Sequence, residues 1–167
     1  MATRDEEQSS KRLADNLKDA ESSIRRINAE ASSLNSDFNA INSTFIDFKK
    51  TAGDFKSELK GTNTIMNSLV GRSQDLAGFT ADQLRDKKQA AKFDKARLEN
   101  ESDIAAINGK IAELNRKKLA FIGKEDAHSE EQLKKINKYL EVLGDAANKA
   151  GEMGSMFQEI VEANDKL

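Results

Sequence analysis

From Leu13 to Leu69 the chain reads LADNLKDAESSIRRINAEASSLNSDFNAINSTFIDFKKTAGDFKSELKGTNTIMNSL, and its apolar residues recur at alternating steps of four and three. The series is Leu13, Leu17, Ala20, Ile24, Ile27, Ala31, Leu34, Phe38, Ile41, Phe45, Phe48, Ala52, Phe55, Leu59, Thr62, Met66 and Leu69, with Thr62 its one polar member. A phase kept for about eight heptads defines a helix with a two-in-seven stripe, the narrow seam of a coiled coil. Its flanks are polar, with Asn28, Asn35, Asn42, Lys49 and Lys56 on one side and Asn16, Ser23, Glu30, Asp37 and Glu58 on the other. The strict seven-residue repeat predicts left-handed supercoiling. One continuous helix over 6–77 would be a rod about 110 Å long at ~1.5 Å per residue.

Composition agrees with helices and disfavours a thick core. Of 167 residues, 37% are apolar, 34% charged and 5% aromatic, and the mean hydropathy is −0.71, which suits thin seams between helices. There is no proline, so no backbone donor is lost and no preceding turn is obstructed. Basic and acidic residues nearly balance, 27 against 29, which gives no global attraction to nucleic acid or anionic lipid. Without cysteine there is no disulfide framework, thiolate metal site or cysteine nucleophile. No window approaches the ~18 apolar residues of a membrane span, and residues 1–7 lack the apolar stretch of a signal peptide.

Working outward, the clearest boundary is Gly78-Phe79-Thr80-Ala81-Asp82-Gln83-Leu84. Gly78 suits a left-handed helix C-terminus, Thr80 and Gln83 have capping-box spacing, and Phe79 with Leu84 forms a hydrophobic staple. A second helix is expected over 80–122, weakly periodic through Leu84, Ala91 and Leu98, then with a seam at Ile104, Ile107, Ile111, Leu114 and Phe121 that Lys118 interrupts. Residues 123–128 read as a polar turn, and Ser129 with Gln132 repeats the capping-box spacing. The third helix, over 129–166, carries a seam of Leu133, Ile136, Leu140, Leu143, Ala147, Ala150, Gly154, Phe157 and Val161. Gly144, Gly151 and Gly154 each cost about 1 kcal/mol there against alanine; they mark either a close helix approach or a flexible end. The expected fold class is therefore all-α, a long heptad coiled coil followed by two further helices.

Catalysis needs convergent groups in a pocket, and no such constellation is evident. The single histidine, His128, lies among Asp126, Ser129 and Glu130 and reads as a solvated residue beside a helix cap. The basic stretch Arg85 to Arg97 reads as a solvated helix face, with Phe93 its one aromatic; nucleic acid is not an expected partner. The asparagine sequons at Asn42 and Asn100 are expected by chance in such a composition. No enzyme activity, cofactor, metal or small-molecule substrate is expected. Seam position a holds leucine, alanine, phenylalanine and methionine while d includes Ile27, Ile41, Phe48 and Phe55, which departs from the dimer pattern and points to three or more parallel strands.

The proline-free, cysteine-free helix, the serine- and asparagine-rich heptads from Leu13 to Leu69 and the alanine- and glycine-rich stretch from Gly144 to Gly154 resemble the tape-measure proteins of phage tails. The resemblance covers the whole chain in style and no segment in specific residues. It implies a length-setting or tube-filling rod within a virion, built of a few parallel chains beside other structural proteins, with Ser32, Ser33, Ser36, Asn39 and Ser43 lining a tube wall. The chain is short for that role. The alternative is a cytoplasmic adaptor or chaperone that folds on itself and binds a partner protein. In the rod, the seam residues join separate chains: Leu13, Leu17, Ile24, Ile27, Leu34, Phe38, Ile41, Phe45, Phe48, Phe55, Leu59, Met66 and Leu69, then Ile104, Ile107, Ile111 and Leu114, then Leu133, Ile136, Leu140, Leu143, Phe157 and Val161.

Overall fold

A computed structural model describes residues 3–167, and the chain is all-α. Helix α1 spans Arg4–Thr51, α2 Lys56–Ala77, α3 Ala81–Arg85, α4 Lys87–Leu119 and α5 Ala127–Asp165. One turn of 3-10 helix, Gly53–Phe55, links α1 to α2.

The helix expected over 6–77 is thus broken, and its second part runs back along the first. The Thr51 hydroxyl donates to the Phe48 carbonyl at 2.9 Å, and Ala52 leaves helical geometry at φ −109°, ψ 69°. Lys49 and Lys50 in the last turn of α1 suit the negative end of its dipole. The heptad phase nevertheless continues across the break, and Phe48, Ala52, Phe55 and Leu59 are all buried. Two halves of one seam therefore face each other. The α1–α2 pair is fastened where the Ser73 hydroxyl donates to Asn35 Oδ1 at 2.8 Å, and at its base Asn28 Nδ2 donates to the Phe79 carbonyl at 2.8 Å.

The remaining pairings are also antiparallel. Arg72–Asp103 and Glu58–Lys117 ion pairs join α2 to α4, and the Asn100 amide of α4 donates to the Ala150 carbonyl of α5 at 2.8 Å. Arg26–Glu159 and Asp37–Lys149, the latter at 2.9 Å, join α1 to α5. The result is an up-down-up-down four-helix bundle in the cyclic order α1, α2, α4, α5, with α3 bracing its base. At one end Phe45, Phe48 and Phe55 surround Tyr139, with ring centroids 6.3, 5.5 and 6.4 Å away. Near the other Phe93 lies between Phe79 and Phe157, at 4.1 and 6.2 Å. Small residues, Ala31, Ala146 and Ala150, fill positions between the clusters.

Several local expectations change. The second helix is two, because Asp86 interrupts it and caps α4, accepting from the Lys88 amide at 2.8 Å. The capping box of Thr80 and Gln83 is present, but Gly78 is right-handed, at φ −95°. The third helix starts earlier than 129: Asp126 is its cap, accepting from the Ser129 amide at 2.8 Å and hydroxyl at 2.7 Å. The true α4 stripe is Phe93, Asn100, Ile107 and Leu114, whereas Ala91 and Leu98 face outward. Helix α5 is rotated from its expected face. It shares Ile136, Leu143, Ala150 and Phe157 with that face but also buries Gln132, Tyr139, Ala146, Met153 and Ile160, while Leu133 and Val161 are half-buried at the edge.

The residues expected to join separate chains are mostly covered by this chain's own helices. Ile24, Ile27, Leu34, Phe38, Phe45, Phe48, Phe55, Leu59, Met66, Leu69, Ile107, Leu114, Ile136, Leu143 and Phe157 are buried, and Ile41, Ile104, Ile111 and Leu140 pack at the core's edge. Leu17 is half-buried and Leu13 exposed.

Phe45 is fully buried. Phe45→Asp should lower unfolding free energy by about 3–5 kcal/mol in urea titrations, whereas Asn39→Asp, on the exposed face, should change it by no more than ~0.5 kcal/mol. In α5 a Cβ added at Gly144 or Gly151 meets nothing, while one at Gly154 lies 3.3 Å from the Asn100 amide. Gly144→Ala and Gly151→Ala should each stabilise the fold by about 0.5–1 kcal/mol in thermal melts. Gly154→Ala should gain less than either.

Candidate functional site

The polar groups inside the bundle are structural in their geometry. Thr62 and Tyr139, both buried, share a hydrogen bond of 2.5 Å across the core, and the Thr62 hydroxyl also lies 3.1 Å from the Glu58 carbonyl. Burial pushes the Tyr139 phenol above its ordinary value, and the bond with Thr62 opposes that shift. Buried Arg72 is held by Asp103 and by Ser68 Oγ at 3.0 Å, with Glu99 at 3.9 Å. Asn100, read from the sequence as one of two chance sequons, is fully buried, so its side chain serves the α4–α5 contact. The Thr62–Tyr139 bond lies some ten residues along α2 from Arg72, whereas Arg72, Asp103 and Asn100 share one level.

On the surface, part of the basic stretch 85–97 is neutralised locally. Arg97 pairs with Asp94 at 2.8 Å and Glu101 at 3.0 Å, and Lys95 lies 3.8 Å from Glu99. The Arg97 guanidinium is held above its ordinary value, first by the Asp94 hydrogen bond. His128 is exposed, its ring 6.4 Å from that of Phe121. Among the described residues no cluster of histidine, aspartate or glutamate has the arrangement of a metal site, and no helix is long and apolar enough to cross a membrane.

The feature left without a partner is the start of α1. Helix α5 reaches back only as far as Asn16, whose side-chain amide donates to the Lys166 carbonyl at 3.4 Å. Residues 4–16 are exposed throughout, an overhang of roughly three and a half turns. Its start is fixed by a complete capping box, Thr3 with Glu6. The seam of α1 runs into this overhang: Leu13 is 50% exposed, although Ala20 and Ile24, next in the same stripe, are buried. Beside it lies a groove of about 600 Å³ with an apolar floor of Ala14, Leu17, Ile24, Phe79 and Leu84 and a charged rim that includes Lys18, Glu21, Asp82 and Arg85. Leu167 also lines it. Leu13 and Leu17 were legible in the sequence as seam; that Leu13 is left uncovered and Leu17 half-covered follows from the length of α5.

Compared with protein-family models, curated proteins and solved structures, the chain matches none.

Tyr139 is the chain's one tyrosine and there is no tryptophan, so phenolate absorbance reports it alone. With its folded pKa raised, stability from the neutral phenol is complete below about pH 10, the unfolded value, and is lost as pH rises through the folded value. Urea midpoints should therefore fall between those two pKa values more steeply in the wild type than in Tyr139→Phe.

Proposed function

We propose that the chain is a self-closed helical-bundle adaptor that receives an amphipathic helix of a partner protein along the α1 overhang. The observation that carries this reading is the continuation of the α1 seam from half-buried Leu17, which lines a groove with Phe79 and Leu84, to exposed Leu13, past the end of α5. A helix laid there would cover the stripe as α5 covers it further along, with i, i+3 and i+4 anchors in the groove. Nothing in this role involves turnover; the bundle supplies a preformed surface, and its helix packing removes the cost of ordering that surface on binding.

The unbroken heptad phase across Ala52–Phe55 supports a second reading, the tail rod. In that state residues 52–55 become helical, α1 and α2 join into one helix, and parallel copies share the seam. Molar mass and shape separate the two. An 18.5 kDa monomer no longer than α1 itself, about 70 Å for its 48 residues, is the adaptor, whereas a trimer or larger species extending about 110 Å is the rod.

A photo-crosslinking residue at position 13 of the full chain, expressed in its native cell, tests the site. The expected product joins the chain to a different protein and disappears with Leu17→Asp, which should leave urea stability nearly unchanged. Crosslinking solely between copies, or none at all, would count against the adaptor.

A further inference from the structure

The reversal between α1 and α2 is made with very little. It takes one turn of 3-10 helix, Gly53–Phe55, and neither that turn nor α2 after it has a side-chain cap. Its backbone bonds run from the Phe55 amide to the Ala52 carbonyl, at 3.3 Å, and from the Lys56 amide to the Gly53 carbonyl. Gly53 is not left-handed, since among the described residues Gly123 alone has a positive φ, and a Cβ added at Gly53 meets nothing. The turn holds no proline. A straight helix would therefore accept every residue in it. Asp54 is the tie to the rest of the bundle, accepting from Gln132 at 3.1 Å and lying 3.8 Å from Lys135.

Of the helices, α1 alone precedes this hinge. Its ties to the rest of the bundle, Asn28 to the Phe79 carbonyl, Asn35 to Ser73, Asp37 to Lys149 and Phe45 and Phe48 against Tyr139, all join it to residues beyond the hinge. An α1 from a second copy could make each of them. With 52–55 helical, residues 4–77 form one helix whose seam keeps its phase throughout. Two such helices crossing antiparallel, with a two-fold axis between Gly53 and Asp54, set each a position of one against a d position of the other. Ala52 then lies opposite Phe55, Phe48 opposite Leu59, Phe45 opposite Thr62, Phe38 opposite Leu69 and Ala31 opposite Leu76. The same alignment keeps Asn35 beside Ser73 and Asn28 beside Phe79, their partners in the closed chain.

We propose that residues 52–55 are a swap hinge, through which two copies of the chain exchange α1 and close as an antiparallel dimer of two complete bundles. Exchange of an identical element reuses the contacts of the monomer, so the dimer needs no new surface outside the hinge. It gains continuous helix at 52–55 and loses the Asp54 ties, and association makes the balance depend on concentration. Parallel copies would instead set Asn35 beside Asn35 and separate it from Ser73, so the polar pairs favour the antiparallel partner. In the swapped dimer each groove at the base is built from two copies, Leu17 and Ile24 from one and Phe79 and Leu84 from the other. The exchange is independent of the partner helix proposed for that groove.

The test is to unfold the full chain in urea, refold it at micromolar and at millimolar concentration, and separate the products by size with light scattering. Wild type should give the 18.5 kDa monomer at the lower concentration and a dimer beside it at the higher. Dyes report the exchange. The chain has no cysteine, so Ser36→Cys and Gln74→Cys, both at exposed positions, give two unique labels. They flank the Asn35–Ser73 contact in the closed chain and stand about 57 Å apart along a straightened helix at ~1.5 Å per residue. Doubly labelled chain refolded with an excess of unlabelled chain should lose energy transfer in the dimer fraction and keep it in the monomer. Donor at position 36 of one chain and acceptor at position 74 of another should gain transfer in the dimer fraction, which a parallel pair would not. Gly53→Pro fits the non-helical Ala52 and obstructs a continuous helix, so it should lower the ratio of dimer to monomer at least about tenfold with unchanged helical circular dichroism. Gly53→Ala should raise that ratio about fivefold. The proposal is overturned if neither wild type nor Gly53→Ala forms a dimer at millimolar concentration, if the dimer keeps its transfer within one chain or shows none between chains, or if Gly53→Pro dimerises as wild type does.

Discussion

Burial of the α1 seam is the constraint from which the rest of the structure follows. A stripe of leucine, isoleucine and phenylalanine this long needs an equally apolar cover, and the chain supplies the first part by reversing at Ala52–Phe55. The reversal fixes what α2 can reach. Running back from Lys56, α2 ends at Ala77, and the turn beyond it meets α1 at Asn28. Further towards its start, α1 is covered by α3 and α5, and α5 stops opposite Asn16. The overhang is therefore a consequence of helix lengths: 48 residues in α1 against 39 in α5.

Apolar seams alone fix direction and register poorly, because one heptad slips past another at little cost in contact area. The polar groups within the bundle remove that freedom. Thr62 meets Tyr139, Asn35 meets Ser73, Arg72 meets Asp103 and Asn100 meets the Ala150 carbonyl, each across a different helix pair. Sliding α4 along α5 would leave the Asn100 amide buried without its acceptor, and Gly154 beside it admits no bulkier side chain without displacing that amide. Buried polar pairs of this kind contribute less to stability than to the choice of one alignment among several.

The sequence made the helical class legible because heptad spacing, the absence of proline and the Thr80–Gln83 cap are all local signals. Direction is not local. Phe48, Ala52, Phe55 and Leu59 keep the same phase whether residues 52–55 continue the helix or turn it, since in either state they need an apolar cover. Thr51 and Gly53 were the available hints of a break, and each alone is compatible with a helix. The rotation of α5 was hidden for a related reason. That helix packs on both α1 and α4, so its buried face is wider than two in seven, and Tyr139 and Met153 belong to it as much as Leu143 does. Leu13 at the start of α1 could be read as seam but not as exposed, because exposure depends on where a helix over a hundred residues away ends.

The hinge at 52–55 also sets what the two ends can do together. While it is folded, Lys49, Lys50 and Lys56 are held at the end of the bundle that carries Leu119 and Ile122, and the base presents Leu13 and Leu17 roughly 50 Å away along α1. Straightening it would carry α2 away from the first part of α1 and expose the halves of the seam to other chains. A rod shared between copies would need that hinge straightened, and the closed bundle needs it folded, so the two proposed readings exclude each other. Any contact that stabilises the folded hinge would disfavour the rod by as much as it prefers the bundle.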